Sequence, residues 1–165
     1  MTELMKPIKD FERYGVTNTG KIYNYKTKKY LHIAEGNHGY LQVGLYKGDK
    51  QYTKYLHKLV ADAFLELTNI NPDGTIMTSE PEVNHKNRDK SDCDISNLEY
   101  CDRAYNLRHA LAKEIYCIEL DKVFDSVTVA AKELNILYST LSSHLCGRLA
   151  HAGGYHFMYN KERNQ

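Results

Sequence analysis

Three short clusters between Glu82 and Ala112 hold side chains suited to chemistry: Asn84-His85, Ser96-Asn97-Leu98-Glu99, and Asn106 with His109 three residues later. An imidazole titrates near neutrality and can take a proton from water. A buried amide offers both donors and acceptors, so Asn97 suits the task of holding a polar loop in shape. Residues three apart on a helix share a face, so Asn106 and His109 can look at one point. If the runs ending in His85 and spanning Leu98 to Cys101 pair as a hairpin, and a helix capped by Asp102 folds back on it, His85, Asn97, Asn106 and His109 converge. They would supply a base, a loop clamp and two metal ligands, a set suited to metal-assisted hydrolysis of a phosphodiester.

The elements that must position this set can be read in order. Residues up to about 60 are β-rich. Gly15 and Asn18-Thr19-Gly20 punctuate the chain as turn formers. Lys21 to Tyr25 and Tyr40 to Tyr46 alternate in strand fashion, and Gly48-Asp49 supplies a turn before Gln51 to Tyr55. Tyr55 to Leu67 carries Leu56, Leu59, Val60, Ala63, Phe64 and Leu67 at three- and four-residue steps, the stripe of an amphipathic helix. His57 lies off that stripe and reads as a structural histidine. Asn69 to Pro81 is a loop, and Lys86 to Ile95 is too polar to pack. After Ala112, Ile115 to Phe124 reads as two short strands. Ser126 caps a helix over Val127 to Leu134 that Asn135 stops, and Ser139 opens a second helix, Thr140 to Cys146, closed by Gly147. Two such helices make a helix-turn-helix. Ser139, Thr140, Ser142, Ser143 and His144 on the second are short polar groups able to reach base edges or phosphates. Gly153 to Tyr159 supplies a closing strand.

Composition bounds the classes. The chain has 165 residues and a formal net charge of +1. No run of about 18 apolar residues is present for a spanning helix, and no membrane association is expected. The four cysteines form no CxxC pair, so no structural zinc is expected, and reduced thiols in a cytoplasmic protein are the reading. Charge is unevenly spread: Lys21 to Lys58 is strongly basic and Ala61 to Asp102 strongly acidic. A basic module beside an acidic one suits a DNA-clasping surface next to a cation site, or two solvated faces. Lys21, Lys26, Lys28 and Lys29, interleaved with tyrosines, are candidate phosphate contacts, as are Lys86, Arg88 and Arg108 about the central clusters.

The order Asn84-His85, Ser96-Asn97-Leu98-Glu99, Asn106-x-x-His109-Ala110 resembles the His-Asn-His (HNH) endonucleases of the phage and intron homing type. The resemblance implies two strands and a helix around one divalent metal, Mg2+ or Mn2+, in an α+β protein. It further implies that His85 activates the attacking water, Asn97 tethers the loop, and Asn84 and Asn106 hold the metal, with His109 a further ligand or phosphate contact. Relatives often carry Asp where Asn84 stands, so the metal site lacks that charge. Phe11-x-x-Tyr14-x-Val16-x-Asn18-x-Gly20-Lys21-Ile22, with Gly39-Tyr40-Leu41 and Leu56-His57-Lys58-Leu59-Val60-Ala61, is similar to the module (NUMOD-like) that often precedes the HNH motif. Ser126-x-x-x-Ala130-Ala131, Ser139-Thr140-Leu141-Ser142 and Gly153-Gly154-Tyr155 look like the helix-turn-helix repeat of intron-encoded nucleases. The expectation is a monomeric, three-part, site-specific DNA endonuclease: a β-rich DNA-contacting module over 1–54, the HNH unit over 55–113 and a helix-turn-helix module over 114–165. It would bind double-stranded DNA in the cytoplasm, that of the host if phage-encoded. The alternatives are an inactive HNH-derived DNA-binding regulator, which Asn84 motivates, and an RNA binder stacking bases on the 14 tyrosines.

Overall fold

The computed structural model describes residues 2–162 and divides into two compact units, with the division between Leu107 and Arg108. In the first unit, β1 (Met5–Ile8), β2 (Phe11–Thr17), β3 (Ile22–Asn24) and β4 (Lys29–Tyr30) form an antiparallel sheet in chain order. A second sheet joins β5 (Ala34–Glu35), β6 (Leu41–Lys47) and β7 (Lys50–Tyr55), followed by helix α1 (Leu56–Phe64). Strands β8 (Glu82–His85) and β9 (Leu98–Cys101) pair as an antiparallel hairpin and lead into helix α2 (Arg103–Leu111). Gly15, expected to punctuate a turn, sits instead inside β2. A Cβ there would lie 2.4 Å from the Tyr25 hydroxyl, so the position is small because a neighbour crosses it. The turn at Asn18 to Gly20 does form, with Gly20 at φ +83°.

One apolar core runs through this unit. Ile8, Phe11, Val16 and Ile22 of the first sheet, Val43 and Leu45 of the second, Leu56 and Val60 of α1, and Val83 and Leu98 of the hairpin are all buried in it. The β-rich stretch and the hairpin with its motif residues thus share a single interior. The α1 helix is shorter than its apolar stripe suggested: Tyr55 stands extended as the N-cap residue, Leu65 is extended, and Leu67 is 58% exposed. The Lys6 ammonium donates to the Ala63 carbonyl, satisfying one of the open groups at that helix end.

In the second unit β10 (Ile115–Cys117) lies between β11 (Lys122–Phe124) and β12 (Phe157–Tyr159), and helices α3 (Val127–Glu133) and α4 (Tyr138–Leu145) fill the connection. The Ser126 hydroxyl caps α3 by accepting from the Val129 N–H at 3.1 Å. Asn135 stops the helix at φ +53° and Gly147 follows α4 at φ +72°. Ser139 is not a cap: α4 begins at Tyr138, with Leu137 in the cap position and no side-chain cap bond. Ala130, Ala131 and Leu141 pack with Ile115, Phe124 and Phe157 in this unit's own core.

Candidate active site

The β8–β9 register sets Asn84 opposite Glu99 and His85 opposite Leu98. Side chains alternate across a strand, so Glu82, Asn84, Glu99 and Cys101 share one face while Val83, His85, Leu98 and Tyr100 share the other. The second face meets the core; the first receives α2.

His85, only 5% exposed, sits at the end of β8. Its Nδ1 lies 3.1 Å from the Asp92 carbonyl oxygen. A carbonyl only accepts, so Nδ1 carries the proton, and the neutral ring keeps its lone pair on Nε2. That Nε2 is buried and has no partner among the described residues. Burial lowers the His85 pKa below the ordinary histidine value, opposed by the Asp92 carbonyl and the Asp92 and Asp89 charges. Burial thus favours the neutral ring.

Asn97 holds the loop that supplies this carbonyl. It is buried, its Nδ2 donates to Asp92 O at 2.9 Å, and its Oδ1 accepts from the Asn87 N–H at 3.0 Å. Asn97 and His85 therefore converge on one carbonyl. The rest of the loop is pinned locally, Asp89 accepting from Ser91 and Asp94 from Ser96. The Ile95 N–H donates to the Asn18 carbonyl, which ties the loop to the turn after β2.

The expected meeting of His85 with Asn106 and His109 at one point is not among these contacts: Asn84, on the opposite face, is 4% exposed and donates its Nδ2 to Glu99 Oε1 at 2.8 Å. Asn106, on α2, donates its Nδ2 to Glu82 Oε2 at 2.7 Å. Helix α2 is started by Asp102, as its sequence suggested: Oδ1 accepts the Tyr105 N–H at 2.7 Å and Oδ2 accepts from Thr78. Those hydrogen bonds hold the Asp102 carboxyl at a pKa of about 2. The donor set on this face is amide and carboxylate oxygen, which suits a hard divalent cation. Among the described residues, no group of three or more His, Cys, Asp or Glu is placed to hold a metal ion.

Sequence reasoning missed Glu82, Glu99 and the true setting of His57. His57 is 5% exposed, its ring lies 5.1 Å from that of His85, and its buried Nδ1 has no partner among the described residues. Burial, then the nearby His85 and Lys58, push its pKa down to about 4. Tyr40 packs on both imidazoles, at 5.0 Å from His57 and 6.1 Å from His85. Lys90 lies 4.6 Å over the Tyr40 ring and donates to the His38 carbonyl. The only sequence signal for His57 was its departure from the apolar stripe.

The candidate DNA contacts fare unequally. Lys26, Lys28 and Lys29 are exposed about the β3–β4 turn, whereas Lys21 is engaged by Glu3 at 3.0 Å. Lys86 is exposed and donates to the Ser96 carbonyl; Arg88 is half-buried in the same loop. Arg108 and His109 lie further along α2. Ser139 is exposed, and Thr140, Ser142 and Ser143 are half-buried. His144 is taken out of the set by its own geometry. Its Nδ1 donates to the Leu149 carbonyl at 2.9 Å and its Nε2 accepts the Phe157 N–H at 2.9 Å, so both ring nitrogens serve the fold.

A hairpin carrying a buried imidazole, a loop clamped by an amide and a helix bringing a second amide to the hairpin's far face define a protein of the HNH nuclease class, and the chain belongs to the HNH homing endonucleases. Three family models match it in succession: a NUMOD4 motif over residues 5–46, an HNH endonuclease over 75–108, and the NUMOD-like domain of DNA endonucleases like I-HmuI over 121–158. DNA endonuclease I-HmuI of Bacillus phage SP01 is 28% identical, over 93% of this chain and 96% of its own length. The solved structure titled as DNA binding and cleavage by that enzyme superposes with a TM-score of 0.56 at 29% identity, covering 95% of this chain and 98% of that one. The uncharacterized HNH endonuclease L247 of Acanthamoeba polyphaga mimivirus is 32% identical over 94% of this chain. The chain spans 41% and 50% of the two mimivirus relatives it matches, about half their length.

Proposed function

We propose that this chain is a site-specific endonuclease that hydrolyses a phosphodiester of double-stranded DNA, with His85 as general base. The observation that carries the reading is the His85 tautomer: Nδ1–H is committed to Asp92 O, and Nε2 is a buried acceptor with no partner among the described residues. Leaving such an atom unpaired costs about 1–3 kcal/mol, a cost retained where an atom has work to do. In the reaction a water O–H bond breaks and its proton passes to Nε2. The water oxygen attacks phosphorus, and the P–O3′ bond breaks with its electron pair leaving on O3′. The Asp92 carbonyl stabilises the imidazolium that results. Asn97 keeps that carbonyl in place. A divalent cation, Mg2+ by the character of the donors, would be held by the amide oxygens of Asn84 and Asn106 and supply charge stabilisation at the departing 3′ oxygen. His109, on the same helix, is read as a phosphate contact. The exposed lysines of the β3–β4 turn and the polar face of α4 grip the duplex backbone and grooves.

Incubating the protein with supercoiled plasmid carrying DNA of the source genome, with and without Mg2+, tests the reading. Wild type cuts only with metal. His85→Ala cuts about 10²–10⁴-fold more slowly and binds the same DNA as tightly. The second reading, a DNA-binding regulator without cleavage, is motivated by the neutral Asn84. It is the outcome if wild type binds but never cuts.

A further inference from the structure

Asn84 and Asn106 are neutral, and a hard cation is held mainly by charge. The hairpin face supplies that charge from residues the motif does not name. We propose that Glu82 and Glu99 are positioning residues that turn both amides oxygen-first toward the cation and provide the negative charge that Asn84 lacks. The inference rests on Asn84 and Asn106 being the ligands.

The geometry is constrained by chemistry. A carboxylate only accepts, so the contacts at 2.8 Å from Asn84 to Glu99 and 2.7 Å from Asn106 to Glu82 must be made by the NH2 groups. An amide is planar, with oxygen and nitrogen on opposite sides of its carbon. Fixing each nitrogen on a glutamate therefore turns each Oδ1 away from that glutamate and removes the flipped rotamer. The two pairs interlock. Glu82 and Asn84 are two residues apart on β8, so they share its face. Glu99 stands directly opposite Asn84 in the ladder, and Asn106 arrives from α2. A one-residue slip of the hairpin would send all three strand residues to the other face.

The charge is felt locally. Cys101, on the same face, has its thiol pushed up to about 12, first by burial and then by Glu99, Glu82 and Asp102. Two carboxylates beside two neutral amides give this face a formal charge of −2, as a pair of direct acidic ligands would. Partners that orient ligands in this way are worth about 10–100-fold in metal affinity.

The test is Mn2+ binding to the full-length free protein, followed by calorimetry and by the paramagnetic broadening of the bound ion's signal. Wild type binds one Mn2+. Glu82→Gln and Glu99→Gln preserve shape and an acceptor for the amide while deleting charge; each weakens binding about tenfold or more with unchanged circular dichroism. The double variant Asn84→Asp with Glu99→Gln exchanges carboxylate and amide across the pair and restores affinity lost in Glu99→Gln alone. The proposal is overturned if the glutamine variants bind within twofold of wild type while Asn84→Ala and Asn106→Ala lose the ion, or if free wild type binds no Mn2+. If Asn84→Ala and Asn106→Ala also bind as wild type, the metal assignment itself fails; His85→Ala, read by cleavage, still decides the nuclease assignment separately.

Discussion

Replacing Asn97 separates holding the loop from tuning the base. Asn97→Ala deletes the bond from Nδ2 to Asp92 O and the bond from the Asn87 N–H to Oδ1, at 2.9 and 3.0 Å. The Asp92 carbonyl keeps the His85 Nδ1–H as a partner, and Asn87 is exposed, so its N–H turns to water. Neither group is orphaned, and each loss is a net hydrogen-bond contribution of about 1 kcal/mol rather than a desolvation penalty. Urea unfolding should therefore show about 2 kcal/mol of destabilisation. The variant should also lose activity, because the carbonyl that selects the His85 tautomer is no longer held from the other side. Nitrogen-15 spectra of the imidazoles should show wild-type His85 protonated on Nδ1 and the variant a mixture of tautomers, with cleavage falling by tenfold or more at saturating DNA. Asn97→Asp is the sharper variant. It keeps an acceptor for Asn87 but turns a carboxylate oxygen toward the Asp92 carbonyl, and it should be at least as damaging as alanine. The reasoning is refuted if either variant loses the expected stability while the His85 tautomer and the cleavage rate stay at wild-type values.

His57 is buried with a pKa of about 4, below its ordinary 6.5. The stability due to its neutral form is fully present above pH 6.5 and is lost as pH falls toward and through 4. Between pH 7 and 4.5 this amounts to about 2–3 kcal/mol, and His57→Phe should remove that part of the pH dependence in urea unfolding. His144→Ala leaves the Leu149 carbonyl and the Phe157 N–H without their partners; it should destabilise the second unit by about 2 kcal/mol, read by hydrogen exchange of Ile115 to Cys117, without changing which DNA sequence is preferred. Replacing Lys26, Lys28 and Lys29 together with Gln should weaken binding to all duplexes alike and lower the slope of log affinity against log salt by about one per lysine.

The helix signals and the proposed site residues were legible in the chain because they are local. The α1 stripe, the caps at Asp102 and Ser126, and the stops at Asn135 and Gly147 depend on neighbours within one helical turn. The Asn84-His85, Asn97 and Asn106 spacing carries the proposed base and its clamp in the same way. Tertiary structure decided what lies across strands and between distant segments. Glu82 and Glu99 became partners of the two amides only when the hairpin register set Asn84 opposite Glu99, since register is a property of pairing and not of either strand. His57 met His85 because α1 and the hairpin share a core, so an imidazole read as structural lies 5.1 Å from the His85 ring. His144 left the DNA-contact set because both its nitrogens are used by backbone groups 5 and 13 residues away. A side chain's type can be read from the chain; which partner satisfies it is settled only when distant backbone arrives, and in a buried site that partner determines its chemistry.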